Sequence, residues 1–346
     1  MQRFIVNPFT RLIFLLLFLS ALVFGITRTT NINARISNIV FETYMKAKPR
    51  ESSGHLIFVD IDDQSLTKIG QWPWPRNILA EMVENIDRAG AAVIIFDGVI
   101  AEPDRLSPTN ISQYLPEEHP AKQALQEMPD NDDALTKAIA ETDKFVAGFT
   151  SGSNLEPPII KKRILIKPTV RNFLLENMAT FFQGTAQFLP SMQKAAAGNG
   201  SFMASLDADS VIRTTGLLFH NGKEIFPSLV LEGLRLYERD GKELIKVSAN
   251  DNFSNVKITE PFNINIGRYN VPMPTSGNMW LHFRKIEDEE TIPASDFIGV
   301  GNTPDLKGKI VFIASSAEGL MDLRPTPIGF VPGVIVHMNA LEQIQL

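Results

Sequence analysis

The chain contains no cysteine. Disulfides, thiolate metal sites and cysteine nucleophiles are excluded together, while the compartment stays open, because cysteine is dispensable on either side of a membrane. The five histidines, at 55, 119, 220, 282 and 337, show no metal-ligand spacing, and His337, set among apolar neighbours, reads as a structural histidine. There is no G-x-S-x-G elbow, no Walker A loop and no G-x-G-x-x-G after a strand, so no strong catalytic signature is present. Acidic residues are missing from positions 1–41, which hold four arginines; all 39 acidic residues and 29 of the 33 basic ones fall in the remainder. So acidic a globular part argues against nucleic acid, whose binding rests on clustered Lys and Arg. What is present fits a globular protein with a substantial core: 346 residues, 44% apolar and 21% charged, with average Gly and Pro and neither repeats nor low-complexity tracts.

Arg3 and Arg11 precede the uncharged run Leu12 to Ile26, which has Ser20 and Thr27 as polar neighbours. With Phe9 and Thr10 counted as interfacial, the run approaches the ~20 residues of a spanning helix. It predicts an uncleaved signal anchor over residues 1–29, N-terminus inside. A cleaved signal peptide competes, without a convincing A-x-A site to support it, and a buried core helix is the third reading. On the anchor reading the chain lies in the cell (inner) membrane and residues 30–346 are extracytoplasmic. Ile32, Ile36, Ile39, Val40 and Tyr44 recur at helical spacing before Pro49. They predict a juxtamembrane helix over 30–48, which pairs with a partner chain or packs on the domain below it.

Residues 55–61, His-Leu-Ile-Phe-Val-Asp-Ile, read as a strand buried on both faces. A helix is predicted from Pro75 to Ala89 on the stripe Ile78, Leu79, Met82, Val83 and Ile86, with Gly90 at its C-cap. A second buried strand follows at 92–96, completing a βαβ unit. Ala134, Leu135, Ala138 and Ile139 predict a helix behind an Asp cap, leading to a strand at 144–148; 309–314 and 334–345 read as a further strand and helix. Five prolines between 103 and 130 predict an extended excursion. Ser228 to Tyr237 reads as a Ser-capped helix. Phe262–Ile266 and 280–283, with turn residues around 272–277, read as antiparallel strands added to the sheet. The expected architecture is α/β: a parallel-sheet core with flanking helices and an antiparallel β insertion, preceded by a transmembrane helix.

Three constellations are candidates for chemistry. Asp60, Asp62 and Asp63 stand at the carboxyl end of the first strand, and Asp97, followed by Glu102 and Asp104, ends the second; open parallel sheets place ligand crevices there. Such a cluster needs a cation, a helix N-terminus, an arginine or a proton; a divalent ion is one solution, and loop capping with pairing to Arg76 or Arg105 is the other. In Trp72-Pro73-Trp74-Pro75-Arg76 each proline stiffens the chain. Pro75 suits the first helical position, which sets Arg76 at the unfavourable end of the dipole and in need of a carboxylate. This run is a rigid corner or a ligand-facing aromatic wall. Ser315 and Ser316 follow a strand, where backbone N–H groups bind oxyanions or simply make a turn.

In order along the chain, Val59 to Leu66, Gly70, Trp72–Arg76, Gly90-Ala91, Phe96-Asp97 and Glu102–Arg105 resemble the type-two CHASE domain, the cyclases/histidine kinases associated sensory extracellular domain. So do Asp207-Ala208-Asp209, Val211–Arg213, Pro227–Leu229, Gly319-Leu320, Asp322, Thr326-Pro327 and Pro332-Gly333, with His337 and Asn339. Ile100 and Ile335 differ from the aromatic and the acid usual at those positions. The resemblance covers about residues 30–346. It implies an extracytoplasmic input module of a bacterial receptor, followed by further membrane helices and an adenylate, guanylate or diguanylate cyclase or a protein kinase. It also implies a homodimer, since such outputs act as pairs, and it brings no agreed ligand, cofactor or catalytic residue. The chain ends at Leu346 without an output domain and so resembles a fragment of a longer receptor.

The leading expectation is a non-enzymatic sensor of a small ligand or a protein stimulus. Four apolar residues before Asp60-Ile61-Asp62 also resemble the loop of magnesium-dependent phosphatases, with Asp60 as nucleophile and Asp62 as acid; Gln64 replaces the usual Thr or Val. A third reading is a protein-interaction ectodomain without a small ligand.

Overall fold

In the computed structural model, which describes residues 8–29, 32–161, 164–177, 180–204, 207, 209–238, 244–248, 262–274, 277–299, 304–320 and 322–346, the continuous apolar runs become strands of one sheet. Arg3, Ala208 and the turn residues 275–276 lie outside the described residues. The chain divides into two compact units, Met1–Arg50 and Glu51–Leu346.

The first unit holds α1 (Pro8–Thr29) and α2 (Ile32–Ala47). Helices form where helical spacing predicted them, but the expected membrane anchor is corrected: among the described residues no helix is long and apolar enough to cross a membrane. The reason is visible in the sequence. Phe9 and Thr10 lie beyond Arg11, so counting them bridges a cation, and the uncharged stretch between Arg11 and Arg28 spans about 24 Å of helix against a hydrocarbon core of about 30 Å. The single N-terminal span, and the location derived from it for residues 30–346, fall with it.

In the second unit, β1 (Leu56–Asp60), β2 (Val93–Phe96), β3 (Phe145–Asn154), β4 (Thr185–Gln187), β5 (Gly198–Ser201), β6 (Thr291–Pro293) and β7 (Ile310–Ala314) share a sheet of order β6-β1-β7-β2-β3-β4, with β5 also on β3. All pairs are parallel except β3 with β4. β1, β2 and β7 are buried at every position, which is why they lack the alternation of a one-sided strand. β7 stands between β1 and β2, opposite Asp60 at Ala314 and opposite Phe96 at Ile313.

Helices cover both faces. α3 (Asp63–Ile69), α4 (Arg76–Arg88) and α5 (Asn131–Thr142) come early, α6 (Leu229–Tyr237) and α7 (Gly333–Gln345) late. Leu79, Met82, Val83 and Ile86 of α4 join Leu135, Ala138 and Ile139 of α5 in one core with Val59, Ile94 and Phe96, while Ile78 is only partly buried. Ile95 points the other way, against Gly233 of α6. Pro75 sits at the N-cap of α4 rather than inside it, and Asp130 and Ser228 cap α5 and α6 with their side chains.

The antiparallel strands do not join this sheet. Phe262–Ile266 pairs with Tyr269–Met273 in a separate four-stranded sheet, turning at Gly267, and Asn278–Trp280 pairs with Thr214–Gly216. Phe262–Ile266 alternates buried and half-buried residues, as a strand covered on one face does. The proline-rich excursion carries two short helices, Pro108–Ser112 and Pro120–Gln126.

Gly148 in β3 is fixed by close approach: a Cβ there would stand 2.7 Å from the carbonyl oxygens of both Phe96 and Gly98. Backbone yields less readily than a side-chain tip, so Gly148→Ala is expected to cost about 1–3 kcal/mol. A urea midpoint equal to that of the unsubstituted protein would refute this.

Candidate functional site

The three constellations are not brought into one site. Asp60 is buried and closed by Ser316, whose N–H donates to Oδ1 at 2.8 Å and whose hydroxyl donates to Oδ2 at 2.5 Å. Burial pushes its carboxyl up to about 6, against those two hydrogen bonds. The Ser315 hydroxyl donates to the Ile61 carbonyl at 2.7 Å. Asp62 caps α3, accepting from the Ser65 N–H at 2.7 Å, and Asp63 lies in the first turn. Ser316 thus closes the Asp60 carboxylate, and Ser315 ties the same strand end through the Ile61 carbonyl.

The tryptophan-proline run is a corner. Trp74 is buried, donates Nε1–H to the Gly70 carbonyl at 2.8 Å and meets Trp72 edge to face at 5.4 Å. Arg76 donates its N–H to Asp104 Oδ2 at 2.8 Å and its Nη1 to the Trp74 carbonyl at 3.0 Å, and its Nε stands 3.9 Å from Asp132 Oδ1. Burial lowers the guanidinium's pKa, opposed by Asp104 and Asp132. Asp132 on α5, absent from the candidates, supplies the second carboxylate. Glu102 is exposed.

Asp97 is different. It follows β2 at the carboxyl edge of the sheet and lines a cavity of about 390 Å³ with Thr150 and Ser151 of β3, Phe202 after β5, Asp322 and Arg324, and Gly333, Val336 and His337 of α7. The size is that of a small-molecule site. The Asp97 and His337 side chains are 4% and 6% exposed, and Asp97 Oδ2 stands 4.0 Å from His337 Nε2, beyond hydrogen-bond range. Asp97 Oδ2 and His337 Nδ1 have no hydrogen-bond partner. Burial, with the charge of Asp322 adding and that of Arg324 opposing, pushes Asp97 up to about 8. Burial pushes His337 down to about 4, against a backbone interaction with Phe202. At neutral pH the floor of the cavity is therefore an uncharged acid beside an uncharged imidazole. Arg324 donates to Asp322 Oδ1 at 2.8 Å, and a Cβ on Gly333 would fall 2.7 Å from Asp322 Oδ2, so glycine lets the helix start against this pair. His337, read as structural, and Asp322 were visible only as members of the resemblance; the pairing with Asp97 had no signal in spacing.

α7 begins at this cavity and ends in a buried clamp. Arg284 donates Nε to Glu342 Oε2 at 2.5 Å and Nη2 to Glu342 Oε1 at 2.7 Å; its Nη1 and Nη2 reach both oxygens of Glu290, each at 2.7 Å. Ser52 donates to Glu290 at 2.5 Å and the Ser53 N–H to Glu342 at 2.8 Å. One guanidinium thus joins the last turns of α7 to residues 52–53. Among the described residues no group of three or more His, Asp or Glu is placed to hold a metal ion.

The family model for the CHASE2 domain matches residues 14–345. No curated protein and no solved structure matches the chain significantly.

Proposed function

Because the chain belongs to the CHASE2 domain family, which comprises sensory extracellular domains of signalling receptors, we propose that it is the input module for a nucleotide cyclase, diguanylate cyclase or protein kinase output. The cavity at Asp97 and His337 takes the stimulus, and α7 carries the response. The observation that supports this reading is that one helix has the cavity at its first turns and the Arg284 clamp at its last. An occupant that favours one placement of α7 shifts the population toward it, and the clamp passes that placement to residues 52–53. The module works as a pair of copies on this reading, and the exposed stripe Ile36, Ile39, Val40 and Tyr44 of α2 is apolar surface of the kind two copies share.

The test joins an adenylate cyclase catalytic domain after Leu346 and measures cyclic nucleotide formation in cells that lack their own cyclase. Gly333→Ala displaces the Asp322 carboxylate at the start of α7 without touching the core, and is expected to change basal output severalfold. Output unmoved by Gly333→Ala and by Asp97→Asn, with the fusion folded, would overturn the reading.

A further inference from the structure

Among the described residues four titratable groups line the cavity: Asp97, Asp322, Arg324 and His337. Arg324 is engaged by Asp322 at 2.8 Å, so its charge is already answered. Asp97 has no such partner, and its Oδ2 is buried without a hydrogen bond. An anion entering here would meet two carboxyl groups and a guanidinium already in use. A cation would find one carboxyl group without a hydrogen-bond donor, and on the neighbouring His337 a buried Nδ1 that also lacks a partner. Thr150, Ser151 and Thr180 add hydroxyl groups. Phe181, Phe202, Met203, Ile212 and Val336 give the cavity its apolar part. They offer apolar surface for a small body and aromatic rings beside a positive charge.

We infer that this cavity binds a small organic monocation, a protonated amine carried on an apolar body, with the ammonium group on Asp97. The inference rests on the proposal that the cavity is the input site, and it adds the chemical class of the occupant. The ammonium donates one N–H to Asp97 Oδ2 and a second to His337 Nδ1, satisfying both orphaned atoms. Asp97 carries a proton when the cavity is empty at neutral pH. Binding breaks that O–H bond, the proton passes to the buffer, and the carboxylate left behind is the counter-charge of the ligand. The charge of the cavity with its occupant is therefore the same as that of the empty one, so the buried cation is not left uncompensated.

Titration calorimetry of the full chain at pH 7 with three probes of matched body tests this: 2-phenylethylamine, 2-phenylethanol and 3-phenylpropionate. The amine is expected to bind about tenfold to a hundredfold more tightly than the alcohol or the acid, the range of a charge-assisted hydrogen bond. Repeating the titration in buffers of different ionisation enthalpy is expected to show release of about one proton per amine bound. Asp97→Asn should remove both the preference and the proton release, while Asp60→Asn, whose carboxylate belongs to Ser316, should change neither. Tighter binding of the acid or the alcohol, equal binding of all three, absence of binding, or a preference that survives Asp97→Asn in a folded variant would each overturn the inference. The cyclase fusion separates the two proposals. Output that responds to Gly333→Ala while amines fail to bind refutes the ligand class alone; amine binding with output indifferent to α7 refutes the input role alone.

Discussion

Arg284→Ala is expected to destabilise the second unit by about 3–5 kcal/mol at pH 7, the cost of stripping one partner from a buried ionic network. For a unit of this size that lowers the melting temperature by roughly 10 °C. The magnitude follows from what is left behind. Glu290 and Glu342 are 6% and 1% exposed, and both oxygens of each take hydrogen bonds from the guanidinium. Burial alone would raise their pKa values, yet hydrogen bonds from Arg284 hold both below the ordinary carboxylate range. Those bonds stabilise the fold above the unfolded carboxyl pKa, and the contribution is lost as pH falls through the depressed folded values. Without Arg284 the two acids can stay buried only by taking up protons. The deficit of Arg284→Ala should therefore shrink as pH is lowered from 7 to 4. Adding Glu290→Gln and Glu342→Gln should recover much of the loss, because an uncharged triad carries no unpaired charge. Urea unfolding of the three proteins at pH 4, 5.5 and 7 reads this, and a deficit below 1 kcal/mol at pH 7 would show that the clamp is dispensable.

Much of the fold was legible because its signals are local. Leu56–Asp60 and Ile310–Ala314 are apolar throughout since both faces of their strands are covered, and the α4 stripe repeats at 3.6 residues because one face meets the core. The order of the sheet was not legible: β7 lies more than 200 residues beyond β2 and is inserted between β1 and β2, a pairing that no local pattern encodes. Burial of charge has no local signature either. Glu232 and Arg235, spaced three apart on α6, have the spacing of a solvent-exposed helix pair, yet both side chains are 2% exposed and joined at 2.6 Å, with Arg235 also donating to the Ala197 carbonyl. At the candidate site, strand-end position singled out Asp60 and Asp97 alike. What separates them is Ser316, which closes the first, and the lack of any such donor at the second. That difference depends on contacts across more than 200 residues.

Between pH 6.5 and 8 the unliganded protein is expected to lose about 1–2 kcal/mol of stability, and Asp97→Asn is expected to abolish that decline. An acid whose folded pKa is raised holds a proton that the unfolded chain has already released, so stability falls as pH rises from the unfolded value to the folded one. For Asp97 that window runs from its ordinary 3.8 to about 8. For Asp60 it closes at about 6. His337 works in the opposite sense. Its pKa is depressed from 6.5 to about 4, so between those values the unfolded chain holds the extra proton and stability rises with pH. From pH 4 to 6 the histidine offsets only one of the two acids, so stability already falls there at about the slope of a single acid. Above 6.5 Asp60 is ionised and the unfolded histidine sheds the last of its proton within about a pH unit, so the falling slope belongs to Asp97, approaching ~1.4 kcal/mol per pH unit while it lasts. A carboxamide in place of the carboxyl group cannot titrate, so the Asp97→Asn variant should stay level where the parent declines and become the more stable of the two near pH 8. Urea midpoints taken every half unit from pH 5 to 8.5 distinguish the cases, and a parent curve already level above 6.5 would mean that Asp97 is ionised in the empty cavity. A gain in stability from Asp97→Asn, joined to the loss of amine binding, is the pattern of a residue retained for its ligand rather than for the fold.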